Sequence, residues 1–74
     1  MSGLSLAARA GHVEVVKLLL KAGANLEFVG LYGMRPIHLA ANAFREETIS
    51  VLIESGCDIN AKDSSGNTPL MYSA

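Results

Sequence analysis

The stretch Leu4-Ser5-Leu6-Ala7-Ala8-Arg9-Ala10-Gly11-His12-Val13-Glu14-Val15-Val16-Lys17-Leu18-Leu19-Leu20-Lys21-Ala22-Gly23-Ala24-Asn25 decides the fold. It returns one period later: Leu4, Ile37 and Leu70 share a register at intervals of 33 residues, and no insertion is needed anywhere in the chain. Leu6-Ala7-Ala8 meets Leu39-Ala40-Ala41, Leu19 meets Leu52, and Gly23 meets Gly56. Self-similarity at this spacing is the signature of a stacked repeat, in which each unit buries its apolar face on the next.

Within each period the local signals describe two short helices. Ser2 before Leu4, and Thr68-Pro69 before Leu70, read as an N-cap and first turn, with proline where a missing N–H costs nothing. First helices are expected over about residues 4–10, about 37–43 and from 70 onward, and second helices over about 13–22 and 46–55. Gly23 and Gly56 close the second helices through the left-handed turn. Residues 24–35 and 57–68 are connectors rich in turn formers, among them Gly33 and Gly66.

The run 4–25, with Pro36-Ile37-His38-Leu39-Ala40-Ala41 and Asp63-Ser64-Ser65-Gly66-Asn67-Thr68-Pro69-Leu70, resembles the ankyrin-repeat family over essentially the whole chain. The resemblance implies an all-α repeat solenoid of helix–turn–helix units with β-turn or hairpin fingers. On that register repeat one is residues 1–29, repeat two 30–62 and a partial repeat three 63–74, forming a single unit over 1–74. It also implies a non-catalytic scaffold that binds an as yet unidentified partner protein through a concave groove and the finger tips.

The chain departs from the family at several points. The Thr-Pro-Leu-His set is incomplete in every repeat: Ser2-Gly3-Leu4-Ser5, Arg35-Pro36-Ile37-His38 and Thr68-Pro69-Leu70-Met71. Phe44-Arg45 replaces Gly11-His12, so either that turn is remodelled or Phe44 is strained. The third repeat stops part-way at Ala74. The chain is therefore expected to be a fragment or spacer of a longer array attached to an effector or enzyme domain, to be completed by a partner, or to self-associate through uncapped end repeats.

The finger Phe28-Val29-Gly30-Leu31-Tyr32-Gly33-Met34 is apolar, whereas its counterpart Ala61-Lys62-Asp63-Ser64-Ser65-Gly66-Asn67 is polar. An apolar tip of this kind marks an interaction site. By resemblance the partner-binding residues are Val29, Leu31, Tyr32 and Met34, with Arg9, Ala10, Asn42 and Ala43 on the first helices and Lys62, Ser64, Ser65 and Asn67 on the next finger. Alternatively Leu31 and Tyr32 pack on the neighbouring finger or on an upstream repeat. Asn60 follows Leu52, Asp58 and Ile59 at spacings resembling ankyrin asparagines that are hydroxylated, or is a connector residue bonding its own backbone.

Composition sets the remaining bounds. With 74 residues and no Trp, the core is built from Leu, Ile, Val and Ala and is close to the size at which one core supplies about 3–5 kcal/mol. A net charge of −1 with scattered basic residues lacks the footprint of a nucleic-acid or anionic-membrane binder, and no apolar run approaches the ~20 residues that span a bilayer. The lone Cys57 and the absence of a secretory signal favour an intracellular setting, cytoplasmic or nuclear. His12, His38 and Cys57 form no recognised zinc spacing or nucleophilic pair, and the glycines no phosphate loop, so no metal, cofactor or catalytic residue is expected. His38 reads as a backbone tie, His12 as a turn residue and Cys57 as a semi-buried filler in place of Ala24.

Overall fold

Ser2 starts the first helix as its position predicts: its Oγ accepts the Ser5 N–H at 3.1 Å, satisfying one of the free donors of the opening turn. The computed structural model describes residues 2–73 of the chain, so Met1 and Ala74, the ends of the expected unit, lie outside the described residues. Helices α1 (Gly3–Ala10) and α2 (Val13–Lys21) form the first pair, α3 (Pro36–Asn42) and α4 (Glu46–Glu54) the second, and α5 (Pro69–Ser73) follows. A 3-10 turn spans Leu31–Gly33, and no strand occurs among the described residues. Ala22, Ala43 and Ser55, expected inside helices, are instead their C-terminal flanking residues, still bonded backward through their N–H groups.

Gly11 closes α1 at φ 75°, with its N–H on the Ala8 carbonyl and the His12 N–H on that of Ala7. Phe44 repeats this arrangement at φ 59°, its N–H on Ala41 and the Arg45 N–H on Ala40. The turn is thus retained, and a non-glycine residue carries the left-handed conformation at a cost of about 1–2 kcal/mol.

The inner helices α1, α3 and α5 pack side by side, with α2 on α1, α4 on α3 and the two outer helices touching. Ala7, Ala8, Ala40 and Ala41 are buried where the inner helices meet, and their small side chains permit that close approach. Leu4, Val16, Ile37 and Leu52 supply most of the apolar volume, with Cys57 beside them.

Comparing register-equivalent residues separates inter-repeat faces from solvent faces. Leu6 is 46% exposed and Leu39 only 7%, because α1 and α2 cover the second pair but nothing described covers the first. On the opposite end, Ile53, Ile59 and Leu70 are exposed around an open apolar hollow of about 160 Å³.

Thr48 occupies the register of Val15, fully buried, and its Oγ1 has no hydrogen-bond partner. An unsatisfied buried hydroxyl costs about 1–3 kcal/mol. Thr48→Val is therefore expected to stabilise the chain by about 1 kcal/mol, raising the melting temperature by roughly 4–8 °C. A thermal melt followed by circular dichroism checks this, and a lower melting temperature would show that the hydroxyl contributes to the fold.

Candidate functional site

Each connector carries a finger built on the same two backbone bonds. In the first, Gly30 donates to the Met34 carbonyl at 3.0 Å and Gly33 to that of Gly30 at 3.1 Å; in the second, Asp63 donates to Asn67 at 2.9 Å and Gly66 to Asp63 at 3.0 Å. The side chains holding them differ. Asp63 Oδ1 accepts the N–H groups of Ser65 and Asn67, both at 2.9 Å, stapling the second turn from inside. Gly30 stands in that place in the first finger and has no such staple. The first finger is held instead by its neighbour, with the Ser64 N–H on the Tyr32 carbonyl at 2.9 Å.

At the tip, Leu31 is 69% and Tyr32 78% exposed, and Val29 is also exposed while Met34 is half-buried. The Leu31 and Tyr32 side chains therefore do not pack on the neighbouring finger. Lys62, Ser64 and Ser65 are exposed on the second finger, as are Arg9, Ala10 and Asn42 at the ends of the inner helices, and Ala43 is half-buried. Asn42 stays exposed although α3 lies between α1 and α5, so its position faces open solvent rather than an adjoining repeat.

Below the fingers lies a polar network. His38 is fully buried; its Nδ1 accepts the Arg35 N–H at 3.0 Å, and its Nε2 lies 2.9 Å from the Ala61 carbonyl and 3.2 Å from that of Asn67. The acceptor role of Nδ1 places the proton on Nε2, which is shared between the two carbonyls. This is the backbone tie expected of His38, and it satisfies the Arg35 N–H as the third residue of a capping box does, while the His38 N–H, with no capping side chain, goes to the Arg35 carbonyl at 3.0 Å. The Tyr72 ring meets the imidazole edge-on at 6.2 Å, and its hydroxyl donates to Asp63 Oδ2. That bond, with the Asn67 and Ser65 N–H groups, holds the Asp63 carboxyl below the usual carboxylate range, and the same carboxylate raises the Tyr72 phenol. Asn67 is thus half-buried and tied through its backbone to Asp63 and His38.

A second tie links the connectors: Glu27 Oε2 accepts the Asp58 N–H at 2.6 Å, while Oε1 lies 3.4 Å from Arg35 Nη1. Asn60 is exposed, and the side chain closing its turn belongs to Asp58, whose Oδ1 accepts the Asn60 N–H at 2.9 Å. The Cys57 thiol is pushed up to about 11 by burial and then by the carboxylates of Glu27 and Asp58, which leaves it protonated and a poor nucleophile near neutral pH. Among the described residues no three His, Cys, Asp or Glu side chains gather as a metal site, and no helix is long and apolar enough to cross a membrane.

Two residues at the far end of α3 were absent from the expected site. Phe44 is 70% exposed, and the Arg45 side chain crosses to α1, its Nε–H donating to the Arg9 carbonyl at 3.1 Å. The register of Phe44 with Gly11 is the sequence signal that marked the place; the Arg45 contact leaves none.

Helix pairs stacked in one register, with hairpin-like fingers projecting from their connectors, define a helical-repeat scaffold. The family model described as ankyrin repeats (3 copies) matches residues 4–74, and the chain belongs to the ankyrin-repeat family. Among its relatives, SH3 and multiple ankyrin repeat domains protein 2 of Homo sapiens is 42% identical over 62 residues, covering 84% of this chain and 3% of the relative. E3 ubiquitin-protein ligase KEG of Arabidopsis thaliana is 33% identical over 73 residues, covering 99% of this chain and 4% of the relative. Protein phosphatase 1 regulatory subunit 12A of Mus musculus is 34% identical over 67 residues, 90% of this chain and 6% of the relative. The chain thus spans only a few per cent of the length of these relatives.

Proposed function

We propose that this chain is a non-catalytic recognition module that binds a partner protein through the solvent face of its inner helices and the finger around Leu31 and Tyr32. The carrying observation is the contrast between two fingers closed by the same pair of backbone bonds: Leu31 and Tyr32 are largely exposed at one tip, where Ser64 and Ser65 stand at the other. On a held turn the backbone is already ordered, so exposed aromatic and aliphatic side chains lose only rotamer freedom on binding and gain apolar burial. The double replacement Leu31→Ser/Tyr32→Ser is expected to weaken partner capture by at least about tenfold, the loss of roughly 1.4 kcal/mol, while leaving the thermal melt nearly unchanged. Titration against a selected binding peptide measures the first effect and circular dichroism the second; an unfolded variant would mark these side chains as structural instead.

A second reading, a spacer within a longer array, is favoured by the exposed end faces. Leu6 and Leu18 at one end, and Ile53 and Ile59 at the other, lie exposed at positions whose counterparts in the neighbouring pair are buried or partly buried. Appending further repeats would raise stability steeply under that reading, and light scattering across a concentration range would reveal self-association through the same faces.

A further inference from the structure

We propose that Phe44 is a second anchor for the bound partner, and that with Arg45 and Arg9 it forms a subsite for an acidic segment bearing an apolar side chain. The proposal rests on the recognition function above.

Among the described residues, two that are not glycine have positive φ, Tyr32 and Phe44, both at 59°. Both are aromatic and both are largely exposed, so neither strained backbone is offset by burial of its side chain. Their register equivalents are Ser65 and Gly11, which are free of that conflict. Strain retained where a simpler residue would serve points to a binding role, and aromatic side chains are the usual anchors of an interface. The two residues bracket α3 of the same repeat, Tyr32 at the finger tip and Phe44 past the helix end. The seven helical residues rise about 10 Å, and the four chain steps before the helix and two after it add at most about 20 Å, so the backbones of the anchors lie within roughly 30 Å. A short extended peptide reaches both.

The charge beside Phe44 indicates what binds there. Helices α1, α3 and α5 contain no Asp or Glu. The Arg45 Nε–H donates to the Arg9 backbone carbonyl, which sets the Arg45 side chain at the end of α1, where Arg9 is also exposed. Neither guanidinium pairs with a carboxylate among the described residues, where the ion pairs are Lys17 with Glu14 and Arg35 with Glu27. Glu46 and Glu47 follow Arg45 in sequence, but they lie in the first turn of α4, where the helix N-terminus offsets their charge. A carboxylate set against the arginines, next to an apolar side chain on Phe44, matches this edge.

Panning a phage-displayed random peptide library against the chain, then titrating enriched peptides by fluorescence anisotropy, tests the proposal. Enriched peptides are expected to carry Asp or Glu beside an aliphatic or aromatic residue. Phe44→Gly is expected to raise the melting temperature while weakening binding by about tenfold, opposite signs that a structural role would not give. Arg9→Gln with Arg45→Gln is expected to weaken binding by about tenfold at physiological salt and far less at high salt. Unchanged affinity in Phe44→Gly, a fall in its melting temperature, or peptides without an acidic bias would overturn the proposal. Peptides that need Leu31 and Tyr32 but ignore Phe44 would leave the finger reading standing and remove this subsite; the reverse pattern would do the opposite. Failure to enrich any peptide would overturn both.

Discussion

Replacing His38 by Ala is expected to destabilise the chain by about 3 kcal/mol, most of what a core of this size supplies. The imidazole satisfies three backbone groups at once: the Arg35 N–H at the start of α3, and the carbonyls of Ala61 and Asn67 in the following connector. Ala61 is itself buried, so its carbonyl has little access to water once the imidazole is gone. The Asn67 carbonyl keeps the Asp63 N–H, so two groups, the Arg35 N–H and the Ala61 carbonyl, are left unpaired at about 1–3 kcal/mol each, and the Tyr72 ring loses its edge contact as well. The melting temperature should fall by roughly 15 °C. His38→Gln separates the contributions. Glutamine at the third helical position can reach back to the Arg35 N–H but lacks the reach and shape to hold the two carbonyls, so an intermediate loss is expected. Urea titration of the three proteins measures this, and a cost for His38→Ala below about 1 kcal/mol would show that the tie between repeats lies elsewhere.

His38 also shows where sequence reading succeeds and where it stops. The period of 33 residues was legible because the inner helices repeat the small and branched residues that stacking demands, as Ala7-Ala8 and Ala40-Ala41 do. The role of His38 as a backbone tie came with the family resemblance carried by Pro36-Ile37-His38-Leu39-Ala40-Ala41. Its partners did not, because the Ala61 and Asn67 carbonyls meet only when the next connector folds over the helix. The same holds for Tyr72 and Asp63, nine residues apart on either side of a helix start, and for Arg45 reaching Arg9. The candidate tip was legible as a polarity contrast between residues 28–34 and 61–67, since equivalent positions should share an environment. What the sequence could not convey is that the apolar finger lacks an internal staple at Gly30 and is held by the finger beside it.

That dependence makes Gly33 the most sensitive residue of the site. Gly33 and Gly66 are register equivalents, both left-handed, at φ 68° and 80°. Alanine at either position carries the same conformational cost, about 1 kcal/mol. Their surroundings differ. A Cβ on Gly66 would meet nothing within 4 Å, whereas one on Gly33 would lie 2.7 Å from the backbone nitrogen of Ser64 and 2.7 Å from its Oγ. The Ser64 side chain can rotate away, but its nitrogen cannot move without breaking the bond to the Tyr32 carbonyl. Gly33→Ala is therefore expected to cost about 2–3 kcal/mol and Gly66→Ala about 1 kcal/mol, with the difference reporting the contact between fingers. Because that contact positions Leu31 and Tyr32, Gly33→Ala should also weaken partner binding at temperatures where the helices remain folded, and Gly66→Ala should leave it close to the parent value. Equal urea midpoints for the two variants would mean that the fingers stand independently, and that the tip is ordered by its own turn alone.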